Sequence, residues 1–120
     1  MALFRRWKAE PENAQPLDHA VITHLPLSGE GFGSEEERST IQELERRISA
    51  AVERIGGDHD GDEFGGGEAV LYTYGPDADA LFDAISGCLN DFAVRPGAYA
   101  IKRYGPATDP SSREERVALE

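Results

Sequence analysis

Five carboxylates fall within the eleven residues from 58 to 68: Asp58, Asp60, Asp62, Glu63 and Glu68. Closely spaced oxygen ligands collect hard cations, and the alternation of Asp58, Asp60 and Asp62 matches the opening of a calcium loop. Such a loop also needs glycine at its sixth position for the turn and glutamate at its twelfth for two-oxygen ligation. Those positions hold Glu63 and Ala69, so that chemistry fails. A looser divalent-metal site drawing on Asp58, Asp60, Asp62 or Glu63, with His59 beside them, is the weaker alternative to a solvated acidic turn. Gly65-Gly66-Gly67, set between Glu63 and Glu68, is more than a tight turn requires. Glycines there open a strand with a bulge, or let a backbone or ligand come close between two carboxylates.

Carboxylates abound elsewhere, so paired acids for hydrolysis stay open, but none is singled out. His19, His24 and His59 are the only histidines, and two residues five apart on a strand point to opposite faces. Cys88 lies on the apolar stripe of a helical segment, where a buried thiol is inert. There is no Gly-x-Ser-x-Gly elbow. Gly29, Gly31 and Gly33 miss the dinucleotide fingerprint, because Ser34 stands where its third glycine belongs. Glu30, Glu35, Glu36 and Glu37 also occupy the place of a phosphate's charge. No cofactor and no catalytic residue are expected; a non-enzymatic role is favoured.

Charge narrows the partners. The 120 residues carry 12 Lys and Arg against 23 Asp and Glu, a formal net charge of −11. From Ile55 to Val94 there is no lysine or arginine but nine acids: the five above with Asp77, Asp79, Asp83 and Asp91. A field of that sign steers a basic protein surface and repels nucleic acid and anionic membranes. An inhibitor or immunity-type role, in which acids fill a nucleic-acid groove, fits the same pattern. No apolar run approaches the roughly 20 residues that span a bilayer. The single cysteine excludes an internal disulfide, so a cytoplasmic location is the expectation.

The elements that carry these residues are legible from periodicity. Residues 1–17 read as a flexible tail, with Leu3, Phe4 and Trp7 beside Arg5, Arg6 and Lys8, and residues 18–120 as one domain. His19 to Leu25 is β-branched and closed by Pro26. Ser34 and Glu37 form a capping box. Ile41, Leu44, Ile48, Val52 and Ile55 then mark a helix of about five turns, stopped by Gly56-Gly57, with Glu43 and Arg47 paired on its wet side. Residues 58–67 hold at most a short irregular strand and a bend. Ala69 to Tyr74 is a strand, and Leu81, Phe82, Ile85, Cys88, Leu89 and Phe92 mark a second helix after Pro76-Asp77. Ala98 to Tyr104 is another strand, and residues 116–119 add an edge strand or fray.

This order predicts an α+β, ferredoxin-like βαββαβ sandwich. Two helices would lie on one face of a four-stranded antiparallel sheet, with room for an extra C-terminal strand. Asp60 to Glu68, the strand after it, and Tyr74-Gly75-Pro76-Asp77-Ala78-Asp79 resemble small uncharacterised bacterial proteins of ferredoxin-like fold, over residues 18–104. The resemblance implies the fold and no activity. Both main strands are apolar on both sides: Ile22 opposes Val21, Thr23 and Leu25, while Leu71 opposes Val70, Tyr72 and Tyr74. Two helices cover one side only. With Leu71 inward, Tyr72 and Tyr74 face out and meet a second copy or another protein, unless the C-terminal tail folds over them. Aromatic sheet faces also stack on RNA, but no basic residue flanks these rings. The candidate binding residues are therefore Asp58, Asp60, Asp62, Glu63, Glu68, Tyr72 and Tyr74.

Overall fold

The computed structural model describes residues 17–119; the tail expected over residues 1–17 lies, Leu17 excepted, outside the described residues. Seven elements follow in order: β1 (His19–Pro26), α1 (Glu35–Glu53), β2 (Asp58–Gly65), β3 (Glu68–Gly75), α2 (Ala78–Leu89), β4 (Tyr99–Arg103) and β5 (Glu114–Ala118). The strands make one five-stranded sheet in the order β2-β3-β1-β4-β5, antiparallel at every pairing. The fold is thus α+β, two helices with a five-stranded antiparallel sheet. The chain's last strand is formed rather than frayed.

Alternation along the strands sets the face turned to the helices, while Ala20 and Val70 of the other parity are covered by their neighbours on the sheet. Val21, Thr23 and Leu25 of β1 and Ala69, Leu71 and Thr73 of β3 are buried. They lie level across the sheet, Val21 beside Thr73, Thr23 beside Leu71 and Leu25 beside Ala69. On this face α1 contributes Ile41, Leu44, Ile48 and Val52, and α2 contributes Leu81, Ile85 and Cys88, to one core. Each fully buried aliphatic side chain of this kind contributes about 1.5–3 kcal/mol. The apolar stripe ends sooner than its spacing suggests. Helix α1 closes at Glu53 with Arg54 as its C-cap, and Ile55 sits in the following turn, 40% exposed. The cause is Gly57, whose N–H donates to the Val52 carbonyl at 2.8 Å and reverses the chain. The Glu43–Arg47 pair is also replaced: Glu43 accepts from Arg46, and Arg47 reaches Asp91 at 3.6 Å.

The larger departure is β2, which is a full eight-residue strand rather than a short irregular one. A two-residue turn at Gly66-Gly67 makes it so. Both glycines have positive φ, 60° and 83°, the requirement of the hairpin turn whose twist matches that of its strands. Gly65 then pairs with Glu68 and the ladder runs back to Asp58 opposite Tyr74, shifting register once between His59 and Gly61. Backbone pairing forms this strand, and on its inner face Phe64 packs against the core. The same glycines admit a second backbone. Leu27 N–H donates to the Gly67 carbonyl at 2.8 Å and Gly67 N–H to the Gly31 carbonyl at 2.9 Å. A Cβ on Gly67 would stand 3.0 Å from the Gly29 carbonyl oxygen. What comes close at the glycine triplet is the loop after β1.

That loop is pinned from its other side by the capping box. Ser34 Oγ accepts from Glu37 N–H at 3.0 Å, and Glu37 accepts from Ser34 N–H at 2.9 Å. Glu37 also accepts from the Ser28 hydroxyl and N–H, and Arg95 lies 3.1 Å away. The hydrogen bond from the Ser28 hydroxyl, then those from the backbone, bring its carboxyl down to about 2. The glycine-rich stretch is tethered at both ends.

Candidate functional site

The face of the sheet away from the helices is built in level rows. Across one row lie Asp58, Tyr74, Ala20, Arg103 and Glu114; across the next, Gly61, Tyr72, Ile22, Ile101 and Arg116. The third holds Glu63, Val70, His24, Tyr99 and Ala118, and Glu68 stands beside Pro26 beyond it. The parity of β1 and β3 that buries Val21 and Leu71 against the helices puts Tyr72 and Tyr74 here, as their alternation predicts. A half-buried apolar strip of Tyr72, Ile22 and Ile101 crosses the middle.

Polar groups frame that strip and are held in place. The His24 and Tyr99 rings stack at 4.4 Å, and the Arg116 guanidinium lies over the Tyr99 ring, 3.6 Å from its centre. His24 Nδ1 is 3.2 Å from a Glu68 carboxylate oxygen. The Tyr72 hydroxyl donates to Glu63. Burial first, and then the carboxylate that accepts its proton, push the Tyr72 phenol up to about 12. Signs are segregated: Asp58, Glu63 and Glu68 mark the β2–β3 half, whereas Arg103 and Arg116, with Glu114, mark the β4–β5 half.

The opposite face of β2 meets α1 and carries a different cluster. His59 Nε2 and Glu45 Oε1 are 2.6 Å apart, and the two residues are only 7% and 8% exposed. Burial opposes the charged form of Glu45, but hydrogen bonds with His59 and Asp62 outweigh it and hold its carboxyl below the usual range. Asp62 goes the other way. Its hydrogen bond to Glu45 first, then burial, then the Glu45 charge raise it to about 7. Asp62 is thus the carboxyl of the pair that holds a proton as pH rises toward 7, shared with Glu45.

The seven candidate binding residues are therefore not one site. Asp58, Glu63, Glu68, Tyr72 and Tyr74 share the outer face, Asp62 faces α1, and Asp60 is buried in the bulge. Asp58, Asp60, Asp62 and Glu63 split between surfaces in this way, and among the described residues no three His, Cys, Asp or Glu side chains are grouped as a metal needs. The wider acidic field is divided too. Asp77 caps α2, Asp91 meets Arg47, and Asp79 lies 2.8 Å from Lys102 Nζ. Lys102 also reaches Glu115 at 3.2 Å, and these hydrogen bonds raise its ammonium above its usual range. A cavity of about 300 Å³ opens elsewhere, between the β1 end and the α2–β4 connection, floored by Leu25, Ile41 and Phe92.

Sequence reasoning missed His24, Tyr99, Ile101, Arg103 and Arg116 as parts of the outer face. The alternation of Tyr99, Ile101 and Arg103 against buried Ala100 carried the signal for β4. It missed Glu45 as well, although the steps Ile41, Glu45, Ile48, Val52 place a carboxylate on the apolar stripe. Among the described residues, no helix is long and apolar enough to cross a membrane. Comparison with known proteins finds no matching family model, no matching curated protein and no matching solved structure.

Proposed function

We propose that this chain is a non-enzymatic protein–protein contact module that works through the outer face of its sheet. The frame is a ferredoxin-like split βαβ unit, of the kind the bacterial resemblance implies, with β5 added beyond β4. The reading rests on one observation: both helices lie on one face, leaving Tyr72, Ile22 and Ile101 as an apolar strip that no described element covers. The three side chains are half-buried and adjoin across three strands, the kind of contiguous apolar surface from which contact surfaces are built. Self-association is its first use. Asp58, Glu63 and Glu68 beside it offer a basic partner a complementary edge, as an inhibitor or immunity-type protein would. The net charge of −11 fits a cytoplasmic protein that avoids nucleic acid and anionic membranes.

Light scattering across a concentration series tests the reading. Masses rising above 13.1 kDa toward twice that value are expected. A chain that stays at 13.1 kDa throughout, and whose Ile22→Lys variant matches it in stability and in binding to basic proteins, has no contact face there.

A further inference from the structure

We infer that the second copy packs face to face on the outer sheet about a two-fold axis parallel to the strands. The axis lies between the two sheets, above β1. The inference deepens the self-association reading and rests on it; what it adds is the geometry, and charge selects that geometry.

Any in-plane two-fold axis brings identical sheets together by their outer faces, and two of these keep the strands of the two copies aligned. An axis perpendicular to the strands lays β2 over β2 and β5 over β5. Glu63 and Glu68 of one copy then face the same half of the other, and Arg103 and Arg116 do likewise, so like charges oppose at both margins. An axis parallel to the strands reverses the strand order instead. Then β2 lies over β5 of the other copy, β3 over β4, and β1 over β1. The half bearing Asp58, Glu63 and Glu68 covers the half bearing Arg103, Arg116 and Glu114, three acids against a net single positive charge, twice by symmetry, as an isologous interface requires. Asp58 comes level with Glu114, a like-charged contact that the Arg103 and Arg116 guanidinium groups beside it offset. The rows stay level under this rotation. Ile22 meets its own copy on the axis and Tyr72 meets Ile101, so the apolar strip is self-complementary. Glu63 comes down one row from Arg116, a step of about 7 Å along a strand that an extended guanidinium spans. Like charges facing each other across an interface cost several kcal/mol, enough to decide between two otherwise similar packings.

Size and edges agree with this choice. Five strands spaced about 4.8 Å apart and five to eight residues long give a footprint of roughly 500 Å² before side-chain relief. That is near the lower end for a specific dimer, so a micromolar constant is expected rather than a permanent pair. Edge-to-edge pairing through β5 is disfavoured, since its sequence Glu114-Glu115-Arg116-Val117-Ala118 is short and charged.

Sedimentation of the full chain tests the geometry by charge exchange at Glu63 and Arg116, both exposed. Arg116→Glu alone and Glu63→Arg alone should each raise the dimer constant by about tenfold or more. The double variant, which carries both changes on every copy, should return it to within about threefold of the starting value. Ile22→Lys should abolish the dimer whichever axis applies. If Ile22→Lys does so while the charge changes are additive with no recovery, the axis is wrong and the contact face stands. If the unaltered chain is monomeric throughout, the self-association reading fails with it. A monomer whose Lys8 is carbodiimide-coupled to Glu63 or Glu68 of the same chain would make the amino-terminal segment the occupant and also overturn the inference.

Discussion

The two faces of the β2–β3 hairpin carry the same kinds of residue and use them in opposite ways. Toward α1, His59 and Asp62 meet Glu45 in a cluster in which the Asp62 carboxyl is shifted up to about 7 and that of Glu45 down. Toward the outside, Glu63, Glu68 and Tyr72 stand beside an apolar strip, each held by one neighbour and open beyond it. Acid type does not separate them; register does. A slip of one residue in the hairpin would exchange the two sets. The inner set therefore stabilises the fold, and the outer set is available for binding.

The largest effect should come from breaking the inner cluster. Glu45→Ala leaves the buried His59 imidazole, and the half-buried Asp62 carboxyl beside it, without their shared partner, and removing one member of such a group costs about 3 kcal/mol. Glu63→Ala on the outer face should cost less than about 0.5 kcal/mol. Urea denaturation of the two variants reads the difference directly. Equal losses would mean that the outer acids also serve the fold.

The turn that sets the register comes next. Gly67→Ala puts a side chain on a residue at φ 83° and brings its Cβ to 3.0 Å from the Gly29 carbonyl. Strain and collision together should cost about 1–3 kcal/mol. Gly87→Ala is the opposing control. It lies within α2, has open space around its Cβ, and should stabilise by roughly 0.5–1 kcal/mol. Thermal melts distinguish the two signs.

How much of this was legible follows from where each feature gets its energy. The long helix, its capping box and the inward set of β1 and β3 all arise from local pattern, and periodicity exposes them. Strand β2 was not legible as a full strand, since Asp58-His59-Asp60-Gly61-Asp62 has no apolar alternation and its backbone pairing is fixed by a glycine turn. The outward aromatics were readable once Leu71 was taken as inward. Their charged frame was not, because it joins Arg103 and Arg116 to acids some forty residues earlier through strand order alone. The acidic segment looked like one site because sequence distance hides which side of a ladder each carboxylate takes.

A smaller effect separates the faces by pH. Asp62 has a folded value near 7 against an ordinary 3.8, so the folded state binds more protons between those limits and stability falls as pH rises through them. Glu45 is shifted down, so its contribution is present above its ordinary value and is lost only as pH falls through the lowered one. Above about pH 5 the Asp62 loss dominates. Asp62→Asn keeps a donor for Glu45 but has no proton to lose. Between pH 5 and 8 the unaltered chain should lose about 1 kcal/mol, screened below the full linkage value because Asp62 is partly open to water. The variant should stay flat. A slope unchanged by Asp62→Asn would place the titrating group elsewhere.

The smallest effect belongs to the outer face and sharpens its side of the contrast. Burial and the Glu63 carboxylate together hold the Tyr72 phenol near 12, so removing the charge should release only part of that shift. Glu63→Gln should move one tyrosine's ultraviolet titration down toward 10 while changing stability by less than about 0.5 kcal/mol. Burial alone keeps it somewhat above the ordinary value. If dimerisation covers this face, the same titration should move up as the protein is concentrated, since burying the ring further disfavours the phenolate. Glu45, closed inside each copy, should titrate the same at every concentration. A Tyr72 value independent of concentration in a solution that does dimerise would put the contact somewhere other than this strip.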